Sequence, residues 1–161
     1  THVAATAVSN GIVAAGVTSR PTLMGVKVCD VFGSCSFGAV ISGVLWAADN
    51  GADVANMSLG GALAKAGNGR YVGFINQVFN YANAAGMTIV VSAGNDAADL
   101  DHDGNTYATY CGAPNTICVS ATGPVDSAGV NGPWVDVDAI APYSNFGRSA
   151  IAVAAPGGSS D

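Results

Sequence analysis

Ser92-Ala93-Gly94-Asn95 closes an apolar run, Ile89-Val90-Val91, and this junction carries the residue types best suited to chemistry. Two residues with almost no side chain let another backbone come close. The neutral amide that follows can act neither as an acid nor as a base, yet its NH2 group donates hydrogen bonds. A donor held beside an approaching backbone is what stabilises the negative oxygen of a tetrahedral acyl-transfer intermediate. Gly94-Asn95 also suits an ordinary turn, and the tetrapeptide alone leaves both readings open.

Two further constellations matter. Asp99, Asp101 and Asp103 alternate and are followed by Gly104, a pattern that can wrap a calcium ion. The twelfth position of that pattern calls for Glu and holds Tyr110, so the pattern is at best a partial structural calcium site, set against a solvated acidic loop. His2 and His102 are the two histidines, and neither is assigned as a general base, given the geometry a catalytic triad demands. Asp30, Asp49, Asp53, Asp96, Asp126, Asp136 and Asp138 read as caps and turn residues, as do Asn10-Gly11 and Asn131-Gly132-Pro133 as turns. Trp46 and Trp134 read as packing residues.

These groups need elements to hold them. Thr22–Val28 reads as a strand. Ser36 can cap a helix running to about Asn50, with Val40, Ile41, Val44, Leu45 and Ala48 on one face and Gly51 as its stop. Val54–Met57 is a short strand. Tyr71, Phe74, Ile75, Val78, Phe79, Ala82 and Ala85 recur at helical spacing, and Gly86 ends that helix. Thr88–Ser92, Ile117–Ala121 and Ala150–Val153 read as further strands. Alternating strands and helices with apolar strands predict a mostly parallel central sheet with helices on both faces, a three-layer α/β sandwich. Ligands on such sheets bind beyond the carboxyl ends of the strands. Ser58-Leu59-Gly60-Gly61 and Ala93-Gly94-Asn95 both follow consecutive strands there, so they can share one cleft.

Composition narrows the functions. Charged residues are 10% of 161, against about 25% in an ordinary domain. Such a low fraction predicts an incomplete domain or one whose faces other structure covers. The five basic residues are scattered over a net charge of −6, which gives nucleic acid no footprint. No apolar run reaches the ~20 residues of a membrane span. Four cysteines allow three pairings. The local pairs Cys29–Cys35 and Cys111–Cys118 would each close a loop beside a strand end, and two disulfides predict an oxidising, extracellular setting. Four free buried thiols are the alternative.

Thr1-His2-Val3-Ala4, Gly25-Val26-Lys27-Val28, Asn56-Met57-Ser58-Leu59-Gly60-Gly61, Ser92-Ala93-Gly94-Asn95, Tyr143-Ser144-Asn145-Phe146-Gly147 and Ala155-Pro156-Gly157 follow one another in the order found in the subtilisin-like (subtilase) serine proteases, which this chain resembles from end to end. The resemblance implies serine endopeptidase chemistry, with Asn95 as the oxyanion-hole amide. It implies that Ser58, Leu59 and Gly60 pair with the substrate backbone and that Ala93 and Gly94 wall the S1 pocket. It implies a secreted enzyme acting on polypeptides, monomeric in its full-length form, with no cofactor needed for the chemistry and calcium as a structural possibility.

The departures from the family pattern are specific. Of His-Gly-Thr-His only Thr1-His2 is present, so His2 matches the second histidine rather than the general base. The family's aspartate lies upstream, and its nucleophile, in Gly-Thr-Ser-Met-Ala, lies downstream of Ala155-Pro156-Gly157. Ser159-Ser160 lacks that context. Residues 1–161 are therefore expected to be a partial peptidase domain, truncated at both ends and inactive alone. The rival reading is a peptide-binding module that keeps the cleft without the triad. An unrelated doubly wound binding domain would want a Gly-rich phosphate loop after its first strand, and none is present.

Overall fold

The computed structural model describes residues 2–12, 15–127 and 132–158. Thr1, Asn131 and Ser159-Ser160 lie outside the described residues. The chain divides into two units, Thr1–Gly43 and Val44–Asp161.

In the first unit, helix α1 spans His2–Val8. The chain then returns along it, with the amides of Val17 and Thr18 donating to the carbonyls of Thr6 and Ala7 at 3.0 and 3.1 Å. Thr22–Val28, expected as a strand, joins no sheet. Met24, Val26 and Val28 are half-buried while Leu23, Gly25 and Lys27 are exposed. Period-2 alternation reports which face is covered, and a strand needs a hydrogen-bonding partner as well. Cys29 and Cys35 are joined by a disulfide. Inside that loop the Asp30 carboxylate accepts from the amides of Phe32 and Ser34, both at 2.9 Å. The Ser36 hydroxyl then accepts from the Ala39 amide at 3.2 Å and caps helix α2 (Phe37–Asp49).

The second unit is built on a four-stranded parallel sheet. β1 (Val54–Met57), β3 (Thr88–Ser92), β5 (Thr116–Thr122) and β8 (Val153–Pro156) lie in that spatial order. The α/β architecture with a mostly parallel sheet is as the strand–helix alternation requires. Helix α3 (Gly69–Ala84) packs on β3 with Ile75, Val78, Phe79 and Ala82 buried. Phe79, Ile75, Met87, Ile89 and Val91 form the fully buried centre, and the Phe79 ring stacks on Tyr110 at 5.8 Å. The Tyr81 hydroxyl donates to the Asp49 carboxylate, tying α3 to the end of α2. Gly86, at φ +99°, releases the chain from α3 into β3.

Several elements differ from the expectation. β8 begins at Val153 and not at Ala150, because the amides of Ser149 and Ala150 are held in a turn by the Asp101 carboxylate. A two-stranded antiparallel ladder pairs β2 (Gly61–Ala64), a segment of weak β-propensity, with β4 (Thr106–Thr109), whose Thr and Tyr residues favour a strand, across more than forty residues. A second short ladder pairs β6 (Asp126–Ser127) with β7 (Trp134–Val135). Trp46 and Trp134 are about half exposed, 49% and 55%, and are not core residues. The buried stripe of α2 is Val40, Ile41, Val44, Ala47 and Ala48, and Trp46 falls off it. Trp134 stands on the exposed β6–β7 ladder.

Phe79→Ala should lower unfolding free energy by about 3–5 kcal/mol, as loss of a buried ring does, whereas Trp46→Ala should cost markedly less. Urea denaturation of both variants reads this directly. Equal losses would show that the α3–β3 contact is not the core.

Candidate functional site

The parallel register Met57↔Val91 sets the carboxyl ends of β1 and β3 side by side. Ser58, Leu59 and Gly60 leave the sheet from one strand, and Ala93, Gly94 and Asn95 from the next. The two segments expected to share a cleft are thus brought to one edge. Ser58 and Gly60 are exposed, Leu59 is half-buried, and residues 58–60 belong to no ladder. The Asn56 side-chain amide donates to the Ser58 hydroxyl at 3.1 Å. Asn95 is exposed, Gly94 half-buried and Ala93 buried.

The glycines do more than leave room for a ligand. A Cβ at Gly60 would stand 2.8 Å from the Thr109 carbonyl oxygen, so Gly60 is needed first for the approach of β4. The Thr109 hydroxyl accepts from the Gly61 amide and donates to the Gly61 carbonyl, each at 2.8 Å. Gly94 has φ +106°, and a Cβ there would meet the Asn145 side-chain nitrogen at 2.6 Å. Only glycine satisfies both conditions.

Asn145 is the residue that spacing alone does not single out. It is 4% exposed and every polar atom is engaged. Its Nδ2 donates to the Ala93 carbonyl at 3.0 Å and to the Asp96 carboxylate at 3.3 Å. Its Oδ1 accepts from the amides of Asp96 and Ala98, both at 2.9 Å. Its own amide donates to the Gly94 carbonyl at 3.0 Å. Beside it, the buried Ser144 hydroxyl accepts from the Ala121 amide at 2.8 Å and ties the same segment to β5. A polar residue buried this deeply is the signal a structure supplies, and a single sequence cannot mark it as buried.

The acidic loop is organised one carboxylate at a time. Asp99 accepts from the Asp101 amide at 3.0 Å and pairs with the His102 ring nitrogen at 2.8 Å. Asp101 accepts from the Ser149 hydroxyl at 2.6 Å and from the amides of Ser149 and Ala150. Asp103 pairs with Lys65 at 3.0 Å. Among the described residues no group of three or more His, Cys, Asp or Glu side chains is arranged to hold a metal ion. The Ser149 hydroxyl and nearby amides hold the Asp101 carboxyl below its ordinary range. The hydrogen bond to His102 lowers Asp99, and the same bond followed by the charge of Asp99 raises His102.

Cys111 and Cys118 form the second disulfide, which bridges from just past β4 into β5. All four cysteines are paired as the local spacing predicted.

Comparison with known proteins adds the rest. The model of the Subtilase family matches residues 1–161. Thermitase of Thermoactinomyces vulgaris is 32% identical over 156 residues, which is 96% of this chain and 46% of that protein. Subtilisin DY of Bacillus licheniformis is 35% identical over 136 residues, 79% of this chain and 43% of that protein. Among solved structures, a cold-adapted subtilisin-like serine proteinase superposes with a TM-score of 0.71 at 30% identity, covering 96% of this chain and 47% of the other. The epidermin leader peptide processing protease of Staphylococcus aureus gives a TM-score of 0.76 over 99% of this chain and 39% of the other, at 23% identity, a likeness of fold alone. The chain spans less than half the length of each of these relatives.

The Asp99–His102 pair makes a testable prediction with a definite sign. His102 is raised above 6.5, so its contribution to stability is full below that pH and is lost as pH rises through the raised value. Asp99 is lowered below 3.8, so its contribution is full above that pH and is lost as pH falls through the lowered value. The pair therefore contributes most between 3.8 and 6.5. Asp99→Asn should move the His102 titration midpoint, followed by NMR, down toward 6.5, and an unmoved midpoint would dissolve the pair.

Proposed function

This chain belongs to the subtilase family, and from that premise we propose that it forms the substrate-facing part of a secreted serine endopeptidase. The observation that carries the reading is the setting of Asn95. Its two neighbours, Gly94 and Asp96, are both hydrogen-bonded to one buried residue, while Asn95 itself stays exposed at the carboxyl end of a parallel strand.

In the proposed reaction a serine oxygen attacks the scissile carbonyl, and the carbonyl oxygen takes up negative charge. The Asn95 amide donates to that oxygen, which is charged only in the tetrahedral state. The main chain of Ser58, Leu59 and Gly60, outside any ladder, pairs with an extended polypeptide and fixes its register. Ala93 and Gly94 then border the P1 side chain. The chemistry requires no cofactor. The triad residues come from outside 1–161, since neither His-Gly-Thr-His nor Gly-Thr-Ser-Met-Ala occurs within it. Two disulfides support an extracellular enzyme.

Residues 1–161 alone should hydrolyse no chromogenic peptide above the buffer rate. In the full-length protease, Asn95→Ala should lower kcat about 100- to 1000-fold with KM nearly unchanged, the size known for subtilisin's own oxyanion amide and taken over from it. An unaltered kcat in a folded variant would reduce Asn95 to a turn residue. Binding of peptide without turnover by the full-length protein would favour a peptide-binding module instead. Gly60 offers no clean test of substrate binding, because any side chain there strikes Thr109 first.

A further inference from the structure

We propose that Asn145 is a positioning residue that sets the attitude of the Asn95 amide, a role that rests on the oxyanion reading above. Asn95 is the single residue between two main-chain groups, the Gly94 carbonyl and the Asp96 amide, that both bond to Asn145. One residue further out on the strand side, the Ala93 carbonyl accepts from Nδ2, and the Ala98 amide donates to Oδ1. The loop that presents Asn95 is therefore wrapped around one carboxamide. It has no slack there, since the space that a Cβ of Gly94 would need is already filled by Nδ2.

The segment bearing Asn145 is pinned in its turn. The Asp101 carboxylate reaches across to the Ser149 hydroxyl and to the amides of Ser149 and Ala150. Main-chain bonds run between the same two segments, from the Phe146 amide to the Ala98 carbonyl at 2.9 Å and from the Leu100 amide to the Phe146 carbonyl at 2.7 Å. Asn145 grips the loop of Asn95, and Asp101 of that loop's continuation grips the segment of Asn145. Movement of either segment would displace the Asn95 amide, and misplacement by about 1 Å can cost a reaction 100-fold.

Asn145→Asp isolates this role. The substitution keeps size and keeps an acceptor for the amides of Asp96 and Ala98. It removes the donor to the Ala93 carbonyl and sets a carboxylate against both that carbonyl and the Asp96 carboxylate. In the full-length protease, assayed well below the melting temperature of each variant, kcat should fall roughly 10- to 100-fold with KM little changed. In an Asn95→Ala background the same substitution should change kcat by less than about twofold, because its route to the reaction is gone. Equal losses in both backgrounds would overturn the proposal and leave Asn145 a structural residue. A harmless Asn95→Ala would instead sink the oxyanion reading itself. If Asn145→Asp does not fold, Ser149→Ala, which removes one bond to Asp101, is read by the same cycle. It should give a smaller kcat loss that likewise vanishes without the Asn95 amide, and a loss that persists would overturn the proposal.

Discussion

One buried carboxamide holds the cleft loop in place. Asn145 satisfies main-chain groups of Ala93, Gly94, Asp96 and Ala98, a stretch of chain that has left β3 and has no ladder to join. A backbone leaving a sheet must find partners in water or in protein. Here it finds them in one residue withdrawn from water, the Gly94 carbonyl at the Asn145 main-chain amide and the other three groups at its side chain, and leaving them unmade would cost about 1–3 kcal/mol for each stranded group. The positive φ of Gly94 and the exposure of Asn95 go with a loop fitted around that residue, while the turn that delays β8 is held by Asp101. The parallel sheet supplies the platform, and the amide supplies the detail.

Elements with strong local signals were legible in the sequence. α2 and α3 follow from apolar residues at helical spacing, the Ser36 cap, and the stops at Gly51 and Gly86. β1 and β3 follow from short apolar runs ending in small residues. The junction of Ala93, Gly94 and Asn95 could be found because its chemistry is local. The β2–β4 ladder was not legible, since Gly61–Ala64 has little strand character of its own and Thr106–Thr109, although rich in β-formers, finds its partner more than forty residues away. Thr22–Val28 failed in the opposite sense, with the pattern of a strand but no ladder. Trp46 reads as a packing residue, but its place off the α2 stripe leaves it exposed.

The acidic loop shows how the same residues serve different ends. Alternating carboxylates suggest one cation when read along the chain. In three dimensions each finds a separate partner, an imidazole for Asp99, a hydroxyl and amides for Asp101, an ammonium for Asp103. Asp101 in particular is no spare charge. It is the counterpart of Asn145, reaching back across the same gap.

The separation along the chain between Asn145 and its partners has a consequence for biosynthesis. The bond from Asn145 to Ala93 closes a loop of 52 residues, and those to Asp96 and Ala98 close loops nearly as long. A ribosome adding about 5–20 residues per second makes Asn95 roughly 3–10 s before it makes the residue that wraps its loop. Through that interval β1, α3 and β3 can already assemble from local contacts, while the loop after β3 has nothing to close around. The strands and helix beneath this loop are thus translated before the residue that closes it.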